Sequence, residues 1–418
     1  MVETLSINFS RTELISPNTL NIIIFATVAL LSICNAVEKK EEFEVTAIPP
    51  KVRENLGLEK FYQKHLEVTG FSILGSKNVS DFALKEAGFL IRNMMGERDD
   101  LLAELSKNKA RFVIMARDEF TTDIPEHADL TPSMYWDRRA RGLGATFARP
   151  TVTCGEENLL GLKGDPYAKE NILIHEFAHA LHQMALNQID LSFQKNIEKC
   201  FEQAIQKKIW AGTYASTNVN EYWAEGVQSW FNTNRENDRE HGKINTRQEL
   251  KEEDPSLAAL IKSTLGESKW RYQLPQNRSL TSPHLIGFQP KKEKPFRWPE
   301  QLIEWKEQFE SGQIGLAPQG SPMVKSFDIQ DPLVQRSNFS KQRNRLFFRN
   351  LSTKTIFLEW IDFEGKPKQT KTLRSKDHIE LQSFVGHVWQ IKEYDSKEKL
   401  LRFILPKNKT SQFIFKSN

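Results

Sequence analysis

His175-Glu176-Phe177-Ala178-His179 sets two imidazoles four residues apart, with a carboxylate beside the first, inside the apolar run from Asn171 to His182. A helix turns about 100° per residue, so the two histidines stand roughly 40° and one turn apart, close enough to share one divalent cation. Glu176 is rotated to the side of the pair. From there its carboxylate can take a proton from an attacking water and pass it to a leaving group. This is the chemistry of zinc-assisted hydrolysis. Ile172, Leu173, Phe177, Ala178 and Leu181 supply the apolar surface a metal-bearing core helix needs. His182 shares the histidine face, and a place behind the ligands or at the surface suits it better than ligation.

Catalytic zinc takes three protein ligands and keeps a further position for water, so a third ligand has to come from elsewhere. Downstream, Asn220-Glu221-Tyr222-Trp223-Ala224-Glu225 opens a second helical pattern with Glu221 and Glu225 one turn apart. Trp223, Val227, Trp230 and Phe231 would anchor it. One acid as metal ligand and the other as partner of a ligand histidine would account for both. A solvated acidic pair on an amphipathic helix is the alternative.

Taken together, the pentad, Tyr214, and the segment Asn220 to Glu225 resemble the gluzincin metallopeptidases, the anthrax lethal factor catalytic domain among them. The likeness covers residues 170–232. It implies that His175, His179 and Glu221 bind Zn2+, that Glu176 is the general base, and that the Tyr214 phenol stabilises the oxyanion. Glu225 would then sit behind the ligands, bonded to one of them.

The chain has 418 residues, 39% of them hydrophobic, enough for two or three domains. A formal charge of +4 and the lack of a basic stripe interleaved with aromatics argue against a nucleic-acid partner. An apolar run from Asn21 to Ala36, ending in small residues, suits a signal peptide over 1–36, with an uncleaved anchor as the alternative. The expected destination is therefore extracellular, with no membrane contact after cleavage. Sequons at Asn78, Asn277, Asn338, Asn350 and Asn408 fit glycosylation of an exported surface. Once Cys34 has left with the signal, Cys154 and Cys200 remain, either as one disulfide or as two free thiols.

Behind the signal, residues 37–54 form a charged linker, and 55–280 read as one α+β unit built around the pentad. Val79 to Met95 has helical periodicity, and Arg111 to Ala116 is strand-like. The Arg- and Gly-rich run Trp136 to Thr146 reads as a strand and turn beside the cleft. Either one of its arginines meets a substrate carboxylate, or ion pairs hold the turn together. Residues 281–334 shift to Pro, Lys, Gln and Gly, a linker or strap with one helix from Pro299 to Glu310.

From 335 to 418, short alternating runs rich in aromatic and β-branched residues predict a small β-sandwich. Arg349-Asn350-Leu351-Ser352, Trp360 to Pro367, and Ser383-Phe384-Val385-Gly386-His387-Val388-Trp389 resemble the β domain of the von Hippel–Lindau family. That family binds 4-hydroxyproline, and the resemblance implies Trp360 and Trp389 as pocket walls with Ser383 and His387 bonding the hydroxyl. Thr370 stands where the family has a pocket tyrosine.

The expectation is thus an α+β zincin-like metallopeptidase domain followed by an all-β sandwich. Its substrate would be extracellular protein or peptide, with hydroxyproline-bearing chains as candidates for the sandwich. Two rival readings are a non-catalytic extracellular binding protein with structural zinc and a zinc hydrolase of a non-peptide substrate.

Overall fold

Strands Phe71–Gly75, Arg111–Met115 and Thr151–Gly155 are buried along their whole lengths, which requires cover on both faces of their sheet. They form the centre of a six-stranded sheet in a computed structural model that describes residues 43–416 apart from 239, 279, 280 and 319. With β1 (Thr46–Ala47), β2 (Lys64–Val68), β3 (Phe71–Gly75), β4 (Arg111–Met115), β5 (Gly142–Leu143) and β6 (Thr151–Gly155), the order is β1-β2-β3-β4-β6-β5. The β3-β4-β6 centre is parallel, and β5 runs antiparallel to β6 at one edge. The expected signal peptide, the first part of the 37–54 linker and Cys34 lie outside the described residues. From Val45 onward the chain is one compact unit. Among the described residues no helix is long and apolar enough to cross a membrane.

A parallel pair needs a long crossover, and α1 (Asp81–Met95) with α2 (Asp99–Lys107) supplies it between β3 and β4. Periodicity from Val79 becomes helix only at Asp81, since Ser80 before it is in extended backbone. The run Trp136 to Thr146 divides. Its first part is the end of helix α3 (Ser133–Arg139), extended backbone at Ala140 turns the chain, and only Gly142–Leu143 joins the sheet.

The pentad lies on α4 (Ile172–Ala180), which continues into a π-helical turn over Leu181–Leu186. Helices α5 (Phe193–Gln206), α6 (Val219–Trp230) and α7 (Pro255–Leu265) follow. Cys154 and Cys200 are free thiols, so no bridge closes around the pentad helix. Cys154 is enclosed in β6, whereas Cys200 is half-buried on α5, a helix packed chiefly on α6 and α7.

Within the expected strap, α8 (Glu300–Glu310) starts directly after Pro299. β7 (Ser326–Phe327) already pairs with a sandwich strand, so the sandwich begins before residue 335. Its other strands are β8 (Arg343–Asn350), β9 (Ile356–Ile361), β10 (Pro367–Leu373), β11 (His378–Phe384), β12 (Val388–Glu393), β13 (Lys399–Ile404) and β14 (Thr410–Phe415). They form two sheets, β10-β9-β12-β13-β7 and β11-β8-β14. Between the sheets Phe413 stacks on Phe348 and Phe403, at 5.7 and 4.2 Å between ring centroids. Leu346, Ile356, Leu358 and Ile391 close the core around them.

Candidate metal centre

Two side-chain caps fix the helices that meet at the pentad. Asn171 accepts a hydrogen bond from the Ile174 N–H at 3.0 Å and starts α4. Asn218 accepts from the N–H groups of Asn220 and Glu221 and starts α6, placing Glu221 in its first turn. Trp223, Val227, Trp230 and Phe231 are all buried. The Trp223 indole N–H donates to the Ala178 carbonyl at 2.9 Å, tying one helix to the other.

Strand β5 and the residue after it close in on the same helix. A Cβ on Gly142 would stand 3.1 Å from Glu176 Cγ and still nearer Ile172, and one on Gly144 would stand 2.7 Å from the His179 Cβ. The Gly-x-Gly spacing of this segment therefore answers a need for close approach.

Three atoms converge where these elements meet. His175 Nε2 and His179 Nε2 are 3.1 Å apart, and each lies 3.3 Å from Glu221 Oε2. Ligands about 2.05 Å from a tetrahedral zinc stand about 3.3 Å from one another, so this triangle has the size the ion requires. Glu221 Oε2 is buried with no hydrogen-bond partner, as an atom meant for a cation would be. Glu176 also brings an oxygen within 4.8 Å of both histidines. Glu221 is the nearer acid, which leaves Glu176 beside the cluster and partly exposed.

The local charges suit these positions. Burial opposes charge on Glu221, yet the two histidines 3.3 Å away hold its carboxyl far below the usual range. Burial likewise opposes charge on His175, but Glu221, Glu176 and Glu225 raise it to about 10. Glu176 is raised by burial, moderated by the two histidines, which favours a group that can accept and return a proton. Tyr214 stacks over His175 with ring centroids 6.4 Å apart. Burial and the Glu221 charge keep its phenol protonated, hence a neutral donor.

The residue that orients His175 is one the sequence reading did not single out. His175 Nδ1 lies 2.8 Å from Gln228 Oε1 and 3.8 Å from Glu225. Because Gln228 Nε2 donates to Glu170 at 3.2 Å, its oxygen faces the imidazole, so Nδ1 is a donor to it and Nε2 is the nitrogen turned toward Glu221 and His179. Glu225 sits one step back, 3.5 Å from His241 and accepting from Asn234. Gln228 is seven residues after Glu221, two turns along the same face, and that spacing was the available signal. His182 is buried and bonded to Gln194 at 2.8 Å, away from ligation.

In the sandwich, Trp360, Ser383, His387 and Trp389 line one cavity of about 560 Å³. Ser383 Oγ lies 3.2 Å from His387 Nδ1 and accepts from the Trp389 indole at 3.3 Å. The Trp360 indole nitrogen is buried without a partner. Thr370 is exposed on β10, where the pairing with β9 is irregular, and does not line the cavity. Phe339 and Phe363 supply aromatic wall instead.

Asn78, Asn277, Asn338 and Asn408 are exposed. Asn350 corrects the expectation of a fifth glycosylation site. Its side chain is fully buried, and its amide nitrogen donates to the carbonyls of Lys354, Leu373 and Arg374. A glycan there would break bonds that hold the ends of β8 and β10.

Residues 335–417 match the family model of the VHL beta domain, so the C-terminal sandwich is similar to that domain. No curated protein matches the chain.

Proposed function

We propose that this chain is an exported zinc-dependent peptide hydrolase of gluzincin type, whose C-terminal sandwich binds hydroxyproline-containing extracellular protein. The observation that carries the hydrolytic reading is the triangle of His175 Nε2, His179 Nε2 and Glu221 Oε2, with edges of 3.1, 3.3 and 3.3 Å. Bound there, zinc would polarise the substrate carbonyl and make water more acidic. Glu176 takes the proton of the attacking water and returns it to the leaving nitrogen. Tyr214 donates a hydrogen bond to the oxyanion without adding charge. Gln228 holds His175 in the tautomer that leaves Nε2 free. Strand β5 is the edge strand of the sheet and lies against Glu176 and His179, where an extended peptide would add as a further strand, and this favours peptide over other substrates.

Metal analysis joined to peptide-library cleavage tests the hydrolytic reading. One zinc per chain and cleavage that stops with a chelator and returns with zinc are expected. Cleavage that survives chelation, or a tightly zinc-loaded protein inert to every peptide, would overturn it, the latter in favour of a structural metal or a non-peptide substrate. Export is supported by the four exposed sequons, which fit a glycosylated surface.

Hydroxyproline binding by the sandwich is supported by the unpartnered Trp360 indole and the Ser383–His387 pair, which together present a donor and groups able to donate or accept. A 4-hydroxyproline peptide is expected to bind the full chain roughly tenfold more tightly than its proline counterpart. Ser383→Ala should remove most of that preference; equal binding of the two peptides would rule the module's role out.

A further inference from the structure

A cleft of about 780 Å³ runs from Tyr214 and Thr217, beside the metal centre, to the face of the sandwich that carries Arg349 and the β10–β11 turn. Its walls hold six cations, Arg138, Arg139, Lys306, Arg349, Arg374 and Lys376, against three acids. The acids are already engaged: Glu310 by Lys306, Asp377 by Arg374 at 3.6 Å, and Glu240 by Arg235 at 3.3 Å. Among the described residues Arg138, Arg139, Arg349 and Lys376 form no close ion pair, and Glu310, already held by Lys306, is the carboxylate that Arg138, Arg349 and Lys376 share at longer range.

Two of these cations are poorly compensated. Arg349 is 6% exposed, lies over the Phe309 ring at 3.4 Å, and has a buried Nε without a partner. Burial pushes its guanidinium down to about 10, and the Glu310 charge offsets only part of that. Arg138 lies 4.2 Å over Trp298, and its Nε is also buried and unbonded. Desolvated guanidinium groups of this kind are costly until an anion meets them.

The cleft walls are fastened together. Tyr135 on α3 bonds His378 on β11 at 3.2 Å, and Trp305 and Phe309 of α8 stack at 4.9 Å beside it. Arg139 sits on the same short helix as Tyr135, is exposed, and lines the cleft together with Tyr214.

We infer that the peptide taken by this site is acidic, with Asp or Glu side chains beside the scissile bond held between Arg139 and the sandwich residues Arg349 and Lys376. The C-terminal module is then a wall of the substrate cleft. This specificity rests on the hydrolytic reading for the fate of the peptide, but its binding can be measured without turnover.

The test uses the full chain carrying Glu176→Gln and compares a labelled Glu-rich peptide with its Gln-for-Glu counterpart by fluorescence anisotropy. The Glu-rich peptide is expected to bind roughly tenfold more tightly at low salt, with the advantage shrinking as salt rises. Arg139→Gln and Lys376→Asn should each reduce that advantage severalfold. Asn is chosen because Lys376 has φ 70°, a conformation Asn tolerates. Equal binding of the two peptides, or an advantage that survives both substitutions, would overturn the inference. Hydrolysis is scored separately on the zinc-loaded wild-type chain. If it cleaves neither peptide while the binding contrast persists, the hydrolytic reading falls and the acidic-peptide cleft stands. If it cleaves both alike and no contrast is seen, the outcome is the reverse.

Discussion

On the proposed function, Glu176→Gln is expected to lower peptide hydrolysis by about 10²- to 10⁴-fold without loss of zinc binding. The amide matches the carboxylate in size and leaves the packing against Gly142 and Gly144 intact, yet it cannot hold a proton in transit. Metal should be retained because the three close-set ligand atoms come from His175, His179 and Glu221. Glu221→Ala is the contrast, since it removes a corner of that triangle and should lose metal and rate together. Measuring zinc content beside kcat separates the two cases. A Glu176→Gln protein with full activity would remove Glu176 from the mechanism.

Arg141→Met is expected to cost about 3–5 kcal/mol of stability, read as a lowered urea midpoint. Arg141 and Glu157 are both fully enclosed, with Nε to Oε1 at 2.6 Å and Nη2 to Oε2 at 2.8 Å. The same guanidinium donates to the backbone carbonyls of Glu119 and Ala116 and lies between the rings of Phe120 and Phe296. Removing it strands the Glu157 carboxylate in the core. Adding Glu157→Leu should recover a large part of the loss, because most of the cost is an uncompensated buried charge rather than the worth of the pair. If the double variant is as unstable as the single one, the backbone bonds of Arg141 are the larger contribution. Activity should fall as well, since Arg141 directly precedes the glycine strand that braces Glu176 and His179.

The Arg- and Gly-rich run shows where local reading stops. Its residue types announced either an ion-paired turn or a substrate arginine, and in the fold Arg141 makes the ion pair. Arg141 is consumed by Glu157, while Arg138 and Arg139, on the preceding helix turn, face the cleft. Chain separation explains the ambiguity: Glu157 lies sixteen residues on, in another element, and only the antiparallel pairing of β5 with β6 brings the two together.

Helical period, caps and apolar spacing are properties of neighbouring residues, so the sequence by itself determined that His175, Glu176 and His179 share a helix face and that Glu221 opens a second, tryptophan-anchored helix. Alternation of apolar residues likewise determined a sandwich at the C-terminus, whose residues 335–417 match the VHL beta domain. The tertiary structure decided what depends on contacts across the chain. It chose Gln228 over Glu225 as the direct partner of His175. It buried the amide of Asn350 under three carbonyls, and it kept Cys154 and Cys200 as free thiols in separate layers. It also set Arg349 and Lys376 of the sandwich in one cleft with Arg138, Arg139 and Tyr214, a placement that no stretch of sequence encodes locally because it depends on α8 packing against α3 and under Arg349.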